Sequence, residues 1–245
     1  MWQAGKRIQD NYFEVVSNAL RNEKTFNNFK QDKNYYAVVG LGNGKYAEKS
    51  YEVIKKERPS LDLSKYCAND SVGNPNLWTT PDGLDISPST LRYLCSAINI
   101  DHNLTLPDDS LSVVDLGAGY GGLCFVMNTY FDIVTYELLD TPEVVELASR
   151  CLSKLNVDNL SVGLDRADLF VSEFCLSEFS NETIHKFYEK DVLRCDQIYI
   201  LSNLHQIGRK TWFIDLLSSD YDIEVKQEYP RTGWPNYAIY GTKKH

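Results

Sequence analysis

The stretch Val113-Val114-Asp115-Leu116-Gly117-Ala118-Gly119-Tyr120-Gly121-Gly122 joins the end of a predicted strand to the start of a predicted helix. Glycine lets the backbone turn sharply and approach a ligand closely, and free N–H groups at a helix start face such a ligand. The next predicted strand ends at Asp140, whose carboxylate can accept two hydrogen bonds from a ribose diol. This order predicts a site for a nucleotide-like cofactor. The alternative is that the glycines only make a tight strand-to-helix turn.

The spacing within this loop favours one class of cofactor. Dinucleotide-binding loops usually read G-x-G-x-x-G directly after the strand, with room for a pyrophosphate at the helix start. Here a glycine already stands at Gly121, and Asp115 lies two residues before Gly117. An acid at the strand end suits a cationic ligand, because it can bond an ammonium group or fix the loop. S-adenosylmethionine (SAM) carries an ammonium and a sulfonium, so the loop favours SAM over a dinucleotide.

Alternating strands and helices surround the loop and predict an α/β fold. Helices are expected after the glycine loop, after Thr141-Pro142 and over residues 209–217, which implies a parallel sheet with helices on both faces. The final segments, residues 221–229 and 236–242, predict an antiparallel hairpin. The strands expected before that hairpin cover residues 111–115, 133–139, 160–164, 169–174 and 197–204.

The chain divides in the sequence at about residue 108. Residues 1–108 read mostly as helices and irregular connections, and residues 109–245 as the cofactor-binding core. Apolar residues at helical spacing predict one helix near the start of the chain and another around residues 47–54. We expect this N-terminal helical cap to form the wall of the acceptor site.

Three local signals organise the N-terminal region. Ser87 is expected to be an N-cap and Pro88 the first residue of a helix. Residues 58–85 contain several Pro, Gly and Asn residues, which predicts a long ordered loop. A second glycine cluster, residues 40–44, lacks the spacing of a phosphate-binding loop and is predicted to be a turn.

Composition excludes several classes of function. The chain has 25 Lys+Arg against 34 Asp+Glu, a formal charge of −9, which argues against sequence-independent binding to a phosphate backbone. Its longest uncharged stretch, residues 116–131, is too short to cross a bilayer as a helix, and the N-terminus lacks the apolar core of a secretion signal. The cysteines and histidines lack metal-ligand spacing. We therefore expect a cytoplasmic protein without nucleic-acid partner, membrane span or metal.

The segment Val114-Asp115-Leu116-Gly117-Ala118-Gly119 resembles the first motif of the class I SAM-dependent methyltransferases. This resemblance implies a Rossmann-like sheet closed by an antiparallel hairpin, the feature that separates this fold from ordinary dinucleotide-binding domains. It also implies SAM as the cofactor and S-adenosylhomocysteine (SAH) as the product.

Three further stretches resemble the sugar O-methyltransferases: Asn69–Pro75, Ser87–Tyr93 and Phe174–Phe179. Together with the glycine loop, the resemblance covers about residues 35–243. It implies methyl transfer from SAM to a hydroxyl of a sugar or oligosaccharide. Similar domains occur in glycan-modifying proteins of large algal viruses, so the resemblance also implies a deoxyhexose such as rhamnose as acceptor, a host-cytoplasmic location and a place in a longer protein.

A sugar hydroxyl has a pKa far above neutrality, so its methylation benefits from a base that takes the proton. Candidates at the carboxyl ends of the fourth and fifth strands are Glu173, Glu178 and His205. We expect Glu178 to be the base, with His205 as the second candidate or as the residue that orients the acceptor. Alternatively, Glu178 stabilises a helix start and His205 bonds a loop carbonyl.

The remaining site residues are predicted from their chemistry and their place in the chain. Arg92 can clamp the cofactor carboxylate or form a surface salt bridge, and aromatic side chains can stack on a ligand or fill the core. The cofactor is expected to contact Asp115, Gly117, Ala118, Gly119, Tyr120, Asp140, Glu173 and Arg92. The acceptor is expected to contact Trp78, Tyr93, Ser177, Asn203 and Trp234.

Rival functions remain open at this point. A methyltransferase of the same fold can act on a small molecule other than a sugar. An NAD-dependent oxidoreductase is disfavoured, because no tyrosine-lysine pair follows the glycine loop. A non-catalytic interaction domain with this fold is disfavoured by the intact Gly117, Gly119 and Asp140.

Overall fold

A computed structural model of the chain describes residues 3–39, 44–204, 206–232 and 236–244, with residues 3–9 described by their backbone alone. The chain forms two compact units. The first contains Met1–Ala97, Ala118–Tyr130 and Asp140–Asp158, and the second contains Ile98–Gly117, Phe131–Leu139 and Asn159–His245. The predicted division at residues 108 and 109 stays a prediction. The predicted turn at residues 40–44 falls mainly on residues outside the described ranges.

The first unit is mainly helical. A short antiparallel pair and two 3₁₀ segments, Phe29–Gln31 and Leu63–Ser71, complete it. The region predicted as a long loop therefore contains regular structure. The helices are α1 (Gln3–Arg21), α2 (Glu23–Phe26), α3 (Lys33–Val39), α4 (Gly44–Glu57), α5 (Pro88–Asn103, ending in the second unit), α6 (Gly122–Tyr130) and α7 (Pro142–Lys154), and the strands are β1 (Trp78–Thr79) and β2 (Asp85–Ile86).

Apolar stripes and caps explain these helices. Helix α1 buries Val16 and Ala19, as the spacing predicted, and it packs against α3 and α7. Arg150 of α7 donates to the Ala19 carbonyl at 3.0 Å, so a cation satisfies the C-terminal end of α1. Ser87 Oγ accepts the Thr90 N–H at 3.1 Å, which confirms the predicted N-cap of α5.

The second unit is built on one sheet with the order β5-β4-β3-β6-β7-β9-β8. β3 to β7 run parallel, and β9 pairs antiparallel with both β7 and β8. The strands are β3 (Leu111–Leu116), β4 (Ile133–Leu139), β5 (Leu160–Ser161), β6 (Ala167–Glu173), β7 (Cys195–Ser202), β8 (Tyr221–Gln227) and β9 (Tyr237–Lys243), and the helices are α8 (Asn181–Phe187) and α9 (Ile207–Ser218).

The predicted fold class is confirmed. The unit has a Rossmann-like parallel sheet, and the antiparallel β8–β9 hairpin closes one edge of it. The central strands are apolar along their length because the unit's core covers them; Phe170, Ile198 and Phe213 are fully buried there. Strand β5 is shorter than predicted. Among the described residues, no helix is both long and apolar enough to cross a bilayer.

Candidate functional site

The glycine loop turns tightly at the start of α6 in the first unit. The Gly121 N–H donates to the Ala118 carbonyl at 3.0 Å, and Gly119 and Gly121 have φ angles of +56° and +84°. A Cβ at Gly121 would lie 2.8 Å from Leu152 Cδ1, so this glycine is needed for packing. At Gly119, apart from the glycine itself and its two chain neighbours, no atom of the described residues lies within 4 Å of the Cβ position. Gly119 therefore leaves open space beside the loop.

The carboxylate of Asp140 lies against this loop. Oδ2 accepts the Gly119 N–H at 3.2 Å and Oδ1 accepts the Thr141 N–H at 2.8 Å. The side chain is exposed, yet the surrounding chain displaces enough water to raise the pKa of its carboxyl, against the two N–H donors, which lower it. The structure thus places the predicted ribose acid beside the predicted glycine loop, with unused acceptor positions open to solvent.

The residues just before the loop belong to the second unit. Gly117, with φ +84°, donates its N–H to the Leu139 carbonyl at 2.8 Å. A Cβ at Gly117 would lie 2.3 Å from Cys175 Cβ, so the chain after β6 closes directly over this glycine. Asp115 is buried, and its Oδ2 accepts a hydrogen bond from the Tyr136 hydroxyl at 2.9 Å. Its carboxylate is therefore tied to the neighbouring strand β4.

The carboxyl ends of β6 and β7 carry the predicted acceptor-side residues. Glu173 ends β6 and is half-buried, while Glu178 ends the 3₁₀ turn Leu176–Glu178 and is exposed. Ser177 Oγ donates to the Phe174 carbonyl at 2.6 Å, which fixes the start of this turn. Asn203 is exposed immediately after β7. Because β6 and β7 are parallel neighbours, these side chains share one edge of the sheet.

Two further contacts define the segment that holds Glu178. Arg209 of α9 donates hydrogen bonds to the Ser177 carbonyl at 3.0 Å and to the Phe179 carbonyl. It also donates to Asn181 Oδ1 at 3.1 Å. The sequence carries no local signal for this bracing, since Arg209 lies 32 positions from Ser177. Ser180 Oγ accepts the Thr183 N–H at 3.2 Å and caps α8, so the helix cap proper is Ser180 rather than Glu178.

In the first unit, three predicted contact residues are buried. Arg92 is 9% exposed with its guanidinium 4.5 Å from the Tyr93 ring centre, which does not fit the surface salt bridge considered above. Tyr93 and Tyr120 are buried with ring centres 6.3 Å apart, packed where a Cβ of Gly122 would stand. Burial of both rings fits the core-filling alternative for aromatic residues.

The remaining predicted contact residues are Trp78, His205 and Trp234. Trp78 is half-buried on β1, with its ring edge-to-face with Tyr51 at 5.7 Å. His205 and Trp234 lie outside the described residues, and their roles stay predictions. Within the part of the chain that the structure describes, no group of three or more His, Cys, Asp or Glu side chains could hold a metal ion.

No protein-family model and no curated protein matches the sequence. Several solved structures are similar to it. A precorrin-6y C5,15-methyltransferase from Geobacter metallireducens is 13% identical, covering 71% of this chain and 97% of its own, with a TM-score of 0.47. An rRNA methylase from Streptococcus thermophilus is 16% identical, covering 62% and 93%, with a TM-score of 0.45. A protein from Thermoplasma acidophilum is 17% identical, covering 65% and 90%, with a TM-score of 0.46. The substrates named for these proteins are their own.

Proposed function

We propose that this chain is a SAM-dependent O-methyltransferase whose acceptor is a sugar hydroxyl, with a deoxyhexose such as rhamnose as the candidate sugar. One observation carries the cofactor part of this proposal: the Gly119 N–H bonded to the exposed carboxylate of Asp140, beside open space at Gly119. A carboxylate held at a glycine turn suits a ribose diol, because its remaining lone pairs can accept hydrogen bonds from both hydroxyls.

The chemistry of these residues and the open space at Gly119 support SAM as the ligand. The space at Gly119 allows the close main-chain approach that a bound nucleoside needs, and a side chain there would fill it. In the proposal, the main chain of Gly117–Gly122 and the Asp140 carboxylate would hold the cofactor, with Asp115, Arg92 and Glu173 as further contacts. When bound, SAM supplies a methyl group already activated by its sulfonium, and SAH is the product.

The acceptor side requires a base. The exposed carboxylate of Glu178 would accept the hydroxyl proton as the new C–O bond forms. Arg209 would act as a positioning residue, because it bonds the main chain on both sides of Glu178. Ser177 and Asn203 would orient the sugar through hydrogen bonds.

The sugar part of the proposal draws on the resemblance of three stretches, and contacts within the first unit link two of them. Asp70 accepts the Ser87 N–H at 2.6 Å and the Thr90 hydroxyl at 2.7 Å. Asn69 Nδ2 donates to Thr90 Oγ1 at 2.9 Å. The stretches Asn69–Pro75 and Ser87–Tyr93 therefore act as one structural element, which supports reading them together.

Calorimetric titration with SAM, SAH and NAD tests the cofactor assignment. We expect SAM and SAH to bind and NAD not to bind. Binding of NAD alone would favour the oxidoreductase, and absence of binding by all three would favour an interaction domain. Mass spectrometry of candidate oligosaccharides incubated with SAM then tests the acceptor, and a methylated non-sugar compound in place of a methylated sugar would favour the rival methyltransferase.

The role of Glu178 has its own test. We expect Glu178→Gln to abolish methyl transfer while SAM affinity stays nearly unchanged, because only the proton acceptor is lost. Glu182→Gln, an exposed carboxylate of the next helix paired with Lys186 at 2.8 Å, is the matched control and should keep full activity. Unchanged turnover in Glu178→Gln would move the role of base to His205.

A further inference from the structure

A cleft in the first unit adjoins the glycine loop and shares Tyr120 with the predicted cofactor contacts. Its cavity volume is about 40 Å³ and it opens to solvent. Since about 10–15 Å³ of such volume holds one water, the cleft has room for a carboxylate group. Its wall includes Lys30, Tyr35, Pro88, Ser89 and Tyr120. Tyr120 belongs to the glycine loop, so the cleft and the loop share a residue.

The cleft contains a buried cation without a carboxylate partner. Lys30 is 7% exposed, its ammonium donates to the Asn69 carbonyl at 3.3 Å, and it lies 3.7 Å from the centre of the Tyr120 ring. Within the described ranges, Lys30 forms no ion pair. The nearby carboxylate of Asp70 is already bonded to Ser87 and Thr90. A buried charge is costly unless an opposite charge compensates it.

A buried hydroxyl group also lines the same cleft. Tyr35 is 3% exposed, and its buried hydroxyl has no hydrogen-bond partner among the residues that the structure describes. Its ring is held by stacking on Tyr12 at 5.5 Å and by an edge contact with Phe29 at 4.8 Å. A buried hydroxyl without a partner costs free energy, so a fixed one at a cleft indicates a missing acceptor.

We propose that this cleft binds the carboxylate of a small organic ligand, with the Lys30 ammonium and the Tyr35 hydroxyl as its two donors. A carboxylate only accepts hydrogen bonds, whereas the ammonium only donates them, so the two groups are complementary in charge and polarity. The apolar wall, including Pro88 and the Tyr120 ring, would contact the rest of the ligand. The carboxylate could come from an acidic sugar such as a uronate or from the amino-acid end of SAM. The second possibility rests on the function proposed above.

The electrostatics of the cleft are consistent with a missing anion. Burial lowers the pKa of Lys30 to about 8, although Asp70 and the Cys151 thiol act in the opposite direction. Burial also raises the pKa values of Tyr35 and Tyr120 well above their usual range, so neither phenol supplies a negative charge near neutral pH. A bound carboxylate would compensate the ammonium and raise the pKa of Lys30 again.

Titration of the whole chain with two matched ligand pairs tests the proposal. The first pair is glucuronate and glucose, and the second is SAH and 5′-methylthioadenosine, which lacks the amino-acid end. We expect Lys30→Met to lower the affinity for the carboxylate-bearing member of at least one pair tenfold or more. The affinity for the member without a carboxylate should stay unchanged. Tyr35→Phe, which keeps the ring packing, should weaken the same ligand by a smaller factor. Lys33→Met, at an exposed lysine of α3, is the control and should change neither pair.

The outcomes separate this inference from the proposed function. Loss of glucuronate binding alone identifies an acidic sugar as the ligand, and loss of SAH binding alone identifies the cofactor. If SAH does not bind the unmodified chain, the proposed function fails, while the glucuronate pair still tests the cleft. Equal affinities of Lys30→Met and the unmodified chain for every acidic ligand would overturn the inference, as would the absence of any carboxylate-dependent binding.

Discussion

The main-chain N–H of Gly119 donates a hydrogen bond of 3.2 Å to Oδ2 of Asp140, 21 positions later in the chain. The bond fixes the orientation of an exposed carboxylate beside Gly119. Among the glycines described between residues 117 and 122, Gly119 is the one at which an added Cβ would meet open space. A carboxylate held in one orientation loses less freedom when it binds a ligand, so this pair is prepared for a diol.

Replacement of Asp140 tests this arrangement directly. Asp140→Asn keeps the size of the side chain but removes its charge and one acceptor oxygen. Since a hydrogen bond to a charged group contributes about 1.5–3 kcal/mol, we expect SAM affinity to fall roughly 10- to 100-fold. Calorimetry gives the affinities, and Asp158→Asn, at an exposed aspartate of the same unit, should leave SAM binding unchanged. Equal affinities of the two variants would contradict the ribose assignment.

As the pH is lowered, SAM affinity should begin to fall at a higher pH than it would with an aspartate of ordinary pKa. The chain around Asp140 displaces water from its exposed carboxylate and raises its pKa. The carboxylate therefore takes up a proton at a higher pH than usual, and the protonated form loses an acceptor for the ribose. Affinity should therefore be full at neutral pH and fall as pH drops through the raised pKa. Titrations between pH 7 and pH 4 would measure this, with pH values chosen around the usual aspartate range of about 4. If SAM affinity fell in the same way with pH in Asp140→Asn, the effect would belong to another titratable group.

Gly119 and Gly83 form a matched pair for the open space at the loop. Both have positive φ angles, +56° and +82°, and, apart from the glycine itself and its two chain neighbours, neither has an atom of the described residues within 4 Å of its Cβ position. Alanine at either should destabilise the fold by about 1–2 kcal/mol, the cost of the left-handed conformation. Only Gly119→Ala should also weaken SAM binding, because the methyl group occupies cofactor space. Thermal unfolding and calorimetry separate the two effects, and an intact SAM affinity in Gly119→Ala would argue against close approach there.

Gly117→Ala should destabilise the fold more than Gly119→Ala does. A Cβ at Gly117 would lie 2.3 Å from Cys175 Cβ and 2.7 Å from its Sγ, so Gly117→Ala combines backbone strain with overpacking and should cost roughly 2–5 kcal/mol of the free energy of unfolding. Cys175→Gly removes both colliding atoms. A double-mutant cycle should show that Cys175→Gly recovers about 1 kcal/mol or more. Additive effects of the two changes would show that the clash is not the cause.

Local sequence signals determined most of the fold. The apolar runs of β3, β6 and β7, the alternation in β8 and the cap at Ser87 all depend on neighbours a few residues away. Such signals survive in the sequence because strand pleating, helical periodicity and capping act over short chain distances. The sequence predicted strand β5 over residues 160–164, longer than the observed Leu160–Ser161, and it did not predict the 3₁₀ segments before β1. The bounds of these elements depend on packing rather than on periodicity.

The sequence by itself determined the parallel sheet, its antiparallel closing hairpin, and the glycine loop followed by an acid. Only the tertiary structure decided that Asp140 lies on Gly119, that Arg209 braces the turn of Glu178, and that the rings of Tyr93 and Tyr120 are buried. It alone placed Lys30 against Asn69, 39 positions away, at the cleft lined by Tyr35. These contacts join residues far apart in the chain, so no local periodicity or spacing encodes them; they exist because the packed elements leave particular polar groups facing one another.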